Sequence, residues 1–191
     1  EKIRQFENKE IDGTYILGFE ESYGYLIGTH ARDKDAIVSS LLIAEMAAFY
    51  NSKGTSIYKE LQKLYQEFGY YLEGIKSVTL TGKDGIEKMA NLMTELRETV
   101  KDRTIDKNIK IKRDFKTKKE LIVATGEEKD ILLPVENVIQ FVLEDDTYIT
   151  ARPSGTEPKI KFYFSVNAPT KEEVEKKLNE TMEKFVATLK L

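Results

Sequence analysis

The sequence contains no cysteine, which excludes disulfides, thiolate metal sites and cysteine nucleophiles. Its single histidine, His30, leaves no His-rich metal site. No apolar run reaches the roughly 18–20 residues that a membrane span requires, and the first residues do not read as a signal peptide. A cytoplasmic setting without a membrane partner is therefore expected. Charge of one sign is also scarce: 30 Lys and Arg against 33 Asp and Glu leave a formal charge of −3. That balance is too mild to make nucleic acid the main partner. Any anionic ligand must be held by local positive groups, not by the field of the whole molecule.

What is present is an ordinary globular composition. The 191 residues are 40% hydrophobic and 33% charged, enough for one domain or two small ones. There is no internal repeat and no low-complexity segment. The chain opens Glu1-Lys2-Ile3-Arg4, without methionine and inside what reads as a helix, so a piece of a larger protein is expected. A processed or engineered terminus would look the same.

Periodicity divides the chain. Gly13 to Phe19 reads as a short buried strand, followed by a polar turn from Glu20 to Tyr25. A helix follows, capped by Asp33 or Asp35 and ended by Gly54. Ile37, Leu41, Ala44 and Ala48 lie on one of its faces and Val38, Leu42, Met46 and Phe49 on another, which predicts burial on two sides. A second helix carries the stripe Ile57, Leu61, Leu64 and Phe68. The segment from Gly69 to Gly74 ends the helical pattern and predicts a boundary between parts 1–69 and 70–191.

Beyond it, Ser77 to Thr81 alternates as a strand. Asp84 and Glu87 suggest a capping box for a helix with Ile86, Met89, Ala90, Met93 and Leu96 inward. Residues 101–130 are charge-rich, most simply a solvated surface, with exposed strands expected over Ile109–Phe115 and Leu121–Ala124. Val138–Leu143 and Thr147–Ala151 form a hairpin pattern. Ile160, Phe162 and Phe164 then alternate with polar residues. Thr170 and Glu173 form a capping box for a last helix with the stripe Val174, Leu178, Met182, Phe185 and Leu189. The expected fold class is a mixed α/β first part, then an α+β part whose largely antiparallel sheet is covered by helices.

Two polar stretches interrupt these elements. Ala151-Arg152-Pro153-Ser154-Gly155-Thr156-Glu157-Pro158-Lys159 joins two strands. Arg152 can fork two N–H bonds onto a phosphate, Ser154 and Thr156 add hydroxyls, and Gly155 permits a close approach by the backbone. Pro153 and Pro158 stiffen the ends. The same residue types also make ordinary turns. The other stretch, Glu20-Glu21-Ser22-Tyr23-Gly24, follows a strand directly. There a carboxylate and a hydroxyl could read vicinal sugar hydroxyls, or the segment could be a solvated turn. Arg32 and Lys34 add positive charge close by. His30 shows no partner carboxylate and no metal-ligand spacing, and reads as structural.

The stretch from Ala151 to Lys161 closely resembles the C-terminal phosphate-binding loop of the α-D-phosphohexomutases. Gly18-Phe19-Glu20-Glu21-Ser22-Tyr23-Gly24 looks like that family's sugar-binding loop, and His30-Ala31-Arg32-Asp33-Lys34-Asp35 is similar to the segment after it. The wording looks most like the phosphoglucomutase/phosphomannomutase branch, which includes phosphopentomutase-like enzymes. The resemblance implies four domains around one cleft, with this chain supplying the end of the third domain (1–69) and the fourth (70–191). It implies Glu20 and Ser22 on the sugar hydroxyls, Arg152, Ser154, Gly155 and Thr156 on the non-reacting phosphate, and Lys34 near the substrate. It further implies Mg²⁺ and glucose 1,6-bisphosphate for the whole enzyme, neither bound by residues of this chain.

The family's Ser-His-Asn-Pro serine and its Asp-x-Asp-x-Asp metal loop are absent from this sequence. The resemblance therefore implies no catalytic residue and no metal ligand here. The other partners it implies are a phosphorylated sugar and the N-terminal domains of the same protein. Glucose, mannose and a pentose stay open, as does a non-catalytic module that captures sugar phosphates.

Overall fold

The computed structural model describes residues 2–20, 24–82, 84–98 and 108–189. Its chain falls into two compact units, Glu1–Leu64 and Tyr65–Leu191.

The first unit contains α1 (Lys2–Glu7), β1 (Leu17–Phe19), β2 (Tyr25–Ile27), α2 (Ala36–Ser52) and the start of α3 (Ile57–Phe68). β1 and β2 form a two-stranded antiparallel ribbon in register Gly18↔Leu26. The buried strand expected over 13–19 is thus only three residues long, and Ile16 and Phe19 are each 75% exposed. A ribbon this short has no second layer in its own unit to bury those side chains.

Helix α2 begins where the sequence places it. The Asp35 carboxylate accepts from the backbone N–H groups of Ile37 and Val38, at 2.9 and 3.1 Å. Its expected burial on two sides is not found: Ile37, Leu41, Ile43, Met46 and Phe49 are all exposed, and Ser39 is its one buried residue.

The second unit holds β3 (Tyr70–Thr79), α4 (Gly85–Glu98), β4 (Ile109–Asp114), β5 (Lys119–Ile122), β6 (Glu127–Asp130), β7 (Ile139–Leu143), β8 (Tyr148–Pro153), β9 (Lys159–Ala168) and α5 (Lys171–Thr188). All nine chain segments serve one seven-stranded antiparallel sheet of order β3-β9-β8-β7-β4-β5-β6 and the two helices that flank it. The alternation read in β9 sets its two faces. Ile160, Phe162, Phe164 and Val166 are almost fully buried, and the rings of Phe162 and Phe164 meet Phe185 of α5 edge-on at 5.2 and 5.6 Å. Leu92, Met93 and Leu96 of α4 join the same core. The capping box of α5 is present, with reciprocal 3.2 Å bonds between Thr170 and Glu173.

Several expectations are corrected in this unit. The strand expected from Ser77 begins earlier, at Tyr70, and pairs residue by residue with β9. Gly74 sits there because a Cβ would come within 2.8 Å of the Met182 sulfur of α5. Ile86 is 68% exposed, while Leu92 takes an inward position. The start of α4 is pressed against the sheet: a Cβ on Gly85 would lie 2.1 Å from the Leu80 carbonyl oxygen, which fixes the rotation of the helix. Asp84 pairs with Lys88 at 2.9 Å instead of forming a capping box with Glu87. Strands β2 and β6 had no alternating apolar pattern to announce them. The exposed edge strand β6 reads Glu127-Glu128-Lys129-Asp130, and charge of that kind keeps an edge from pairing with other chains.

Candidate functional site

The loop between β8 and β9 is built from the sheet outward. Ser154 N–H donates to the Lys159 carbonyl at 2.7 Å and closes the loop neck. Leu80 N–H donates to the Pro158 carbonyl at 2.8 Å, and Pro158 packs over Gly85. The Ser154 hydroxyl oxygen accepts from the N–H groups of Thr156 and Glu157, each at 3.3 Å. Those two amides are therefore turned inward by the serine, and the serine O–H is left to donate elsewhere. Gly155 has open space around it, with nothing within 4 Å of where a Cβ would sit, and its backbone is not left-handed. Its glycine character thus leaves room beside the loop and is not required by the turn.

Strand register places the cations. Arg152 stands directly across from Lys161, and Lys161 across from Ser77, so the three side chains form one row. This row lies on the face opposite the Phe162–Phe185 core. Lys159, two residues before Lys161, shares that face. Among the described residues, Arg152, Lys159 and Lys161 have no ion pair. Like charges directly opposite on neighbouring strands repel each other and destabilise a sheet. A cation pair kept at the mouth of an open loop, with an exposed guanidinium, is an arrangement suited to an anion. Lys161 and Lys159 were not singled out in the sequence. The signal was available: in a period-two strand, Lys161 must share its face with the arginine opposite it.

The second cluster lies in the first unit. Glu20 and Lys34 meet at 3.4 Å, and Lys34 also pairs with Asp33 at 3.3 Å. Gly24 lies beneath them: a Cβ there would come within 2.6 Å of the Lys34 stem and 3.0 Å of a Glu20 oxygen. Glu20 N–H donates to the Gly24 carbonyl and Asp35 N–H to the Tyr25 carbonyl, each at 2.8 Å. The group lines a shallow recess of about 230 Å³ with Tyr15, Phe19 and Leu26. Asp33 and then Glu20 raise the Lys34 ammonium above its ordinary pKa, which keeps it charged. Arg32 is engaged by Glu7 at 2.6 Å and by the Thr29 carbonyl, so it is committed to local structure. Ser22 and Glu21 lie outside the described residues.

His30 does have a partner carboxylate, contrary to the sequence reading: its Nε2 lies 2.8 Å from Asp35. The five-residue gap between them hid the contact, which forms because Asp35 turns its carboxylate back to cap α2. His30 first, then the Val38 amide, hold the Asp35 carboxyl below its ordinary value of 3.8. A carboxyl depressed in the folded state contributes stability that is complete above that ordinary value and is lost as pH falls through the folded one. The first turn of α2 is therefore expected to open in acid below about pH 3.8, read by amide exchange at Ile37 and Val38. Asp35→Asn should keep the cap and remove this acid dependence.

The structure thus brings Glu20 and Lys34 together in the first unit, and Arg152, Ser154, Gly155 and Thr156 together with Lys161 in the second. The family model described as phosphoglucomutase/phosphomannomutase, alpha/beta/alpha domain III, matches residues 3–68. The phosphoglucomutase of Staphylococcus aureus strain MRSA252 is 35% identical over 179 residues, covering 94% of this chain. The chain belongs to the phosphohexomutase family. The Staphylococcus haemolyticus phosphoglucomutase is 34% identical over 168 residues, 87% of the chain. A solved structure, the open form of pp63/parafusin (a phosphoglucomutase) from Paramecium, matches 88% of the chain with a TM-score of 0.58 at 18% identity, a likeness of fold. This phosphohexomutase chain spans about a third of the curated relatives it matches, 32% and 30% of their lengths, and 29% of the Paramecium chain.

Proposed function

We propose that this chain is the substrate-holding part of a phosphoglucomutase/phosphomannomutase that interconverts hexose 1-phosphate and hexose 6-phosphate through a bisphosphate intermediate. In this reading residues 1–69 end the third domain and 70–191 form the fourth. The observation that carries it is the unpaired Arg152–Lys161 row beside the open Ser154–Thr156 loop. Arg152 grips the non-reacting phosphate as a fork, Lys161 adds charge, and the hydroxyls of Ser154 and Thr156 and the amide of Gly155 donate to the remaining oxygens. Glu20, with Ser22, accepts from the sugar hydroxyls, and Lys34 orients the Glu20 carboxylate. A phosphate clamp and a hydroxyl reader of this kind tolerate a sugar that binds in two orientations, which an exchange between its two ends requires.

Among the described residues, no three His, Cys, Asp or Glu side chains gather where a metal ion could sit. The resemblance implies Mg²⁺ for the whole enzyme and on no residue of this chain, so no step is assigned to the metal here. Phosphoryl transfer depends on charge stabilisation at the moving group, which a clamp on the other phosphate does not supply. The purified chain, given glucose 1-phosphate, Mg²⁺ and glucose 1,6-bisphosphate, is therefore expected to form no glucose 6-phosphate in a coupled assay. Steady turnover above a no-protein blank would refute this division of labour. Among the described residues no helix is long and apolar enough to cross a membrane.

A further inference from the structure

The sheet face opposite the Phe162 core carries a second cross-strand row. Register sets Glu120, Arg113, Gln140, Thr150, Tyr163 and Ile75 side by side across β5, β4, β7, β8, β9 and β3. Both helices of the unit, α4 and α5, contribute to the core on the other face. Arg113 donates to Glu120 at 2.6 Å and to the Gln140 amide oxygen at 2.8 Å. A guanidinium can only donate, so it keeps that oxygen towards itself and leaves the amide N–H groups for Thr150. Gln140 then donates to Thr150 Oγ1 at 3.1 Å. The Thr150 proton must therefore go elsewhere. Among the described residues it meets no acceptor, and the hydroxyl of the half-buried Tyr163 has no hydrogen-bond partner. The row is thus satisfied through Glu120, Arg113 and Gln140 and stops at two hydroxyls with unused capacity. Half-buried polar groups left in that state call for water or a ligand.

Thr150 and Tyr163 are directly opposite each other, which puts their Cβ atoms about 4.5–5.5 Å apart. Thr150 precedes Arg152 by two residues and Tyr163 follows Lys161 by two. The hydroxyl pair therefore shares a face with the cation pair and lies about 7 Å farther along the strands. That step is about the width of one sugar ring. We infer that Thr150 and Tyr163 are a sugar-reading pair. With a phosphate seated on Arg152 and Lys161, the attached ring lies along the uncovered sheet face and its hydroxyls bond to these two side chains. The Tyr163 ring and its neighbour Ile75 offer apolar surface to the C–H side of the ring. Inorganic phosphate reaches the cations alone, whereas a hexose 1-phosphate reaches both rows. This inference rests on the reading of the loop after Arg152 as a phosphate clamp and assigns the polyol half of its ligand.

Calorimetry at fixed salt compares inorganic phosphate with glucose 1-phosphate on this chain and on Tyr163→Phe, Thr150→Val and Thr150→Ser. The parent is expected to bind glucose 1-phosphate at least tenfold more tightly than phosphate. Tyr163→Phe and Thr150→Val should each lose at least threefold on glucose 1-phosphate and change less than twofold on phosphate, because a site built around hydroxyls discriminates through them. Thr150→Ser keeps the hydroxyl and should bind both ligands as the parent does. Variants that weaken both ligands alike, or neither, overturn the inference. So does a loss that Thr150→Ser shares with Thr150→Val, since that marks a packing defect and not a missing hydroxyl. Phosphate bound by the parent with no gain from the sugar ends the sugar-reading pair and leaves the clamp standing. A parent that binds neither ligand ends both.

Discussion

Replacing Arg152 with alanine is expected to weaken the binding of glucose 1-phosphate by about 1.5–3 kcal/mol, roughly ten- to hundredfold, measured by calorimetry at fixed salt. The magnitude follows from losing a charge-assisted, two-pronged donor to a phosphate. Arg152→Lys should recover only part of the loss, since an ammonium keeps the charge without the fork. The folded chain offers a second readout. Because Arg152 faces Lys161 across the strand pair and has no ion pair among the described residues, its removal relieves a repulsion. The unliganded variant should therefore be at least as stable as the parent. A role in structure predicts the reverse: lost stability and unchanged binding. The two outcomes separate a functional arginine from a structural one in one pair of experiments.

Replacing Phe162 with alanine should have the largest effect on stability, about 3–5 kcal/mol by the usual cost of emptying a buried aromatic site. Phe162 is fully buried, lies in β9 between β3 and β8, and stacks edge-on against Phe185 at 5.2 Å. Such a loss is about a fifth or more of the typical stability of a domain. Urea unfolding of the second unit should shift far to lower denaturant, or the unit should fail to fold. Phe162→Leu, which keeps most of the volume, should cost far less. Since β9 carries Lys161 on its other face, Phe162→Ala should also disturb phosphate binding, whereas Phe162→Leu should not.

Much of the second unit was legible in the sequence because its signals are local. The alternation through Ile160, Phe162 and Phe164 gave the faces of β9, and Thr170 with Glu173 gave the start of α5. The loop between Arg152 and Lys159 was legible because arginine, hydroxyls and glycine crowd into a few residues between two strands. What was not legible depends on partners distant in sequence. Gly74 looked like punctuation until Met182 and Leu178 of α5 came to lie on it. Lys161 looked like the wet side of a strand until register set it opposite Arg152. His30 looked unpartnered until the cap geometry of Asp35 brought a carboxylate to it. The burial expected for α2 failed for a different reason: the pattern reports where a helix prefers to sit, and the first unit holds no layer to receive it.

The claim on which the account rests is that the loop after Arg152 receives a phosphate. Titrating inorganic phosphate, and then glucose 1-phosphate, into isotope-labelled chain and following backbone amides tests it most directly. The account predicts saturable shifts centred on Gly155 and Thr156 and extending to Arg152 and Lys161, weakened by added salt and lost in Arg152→Ala. Shifts scattered over the surface lysines, or a 152–161 segment that does not respond, would contradict it.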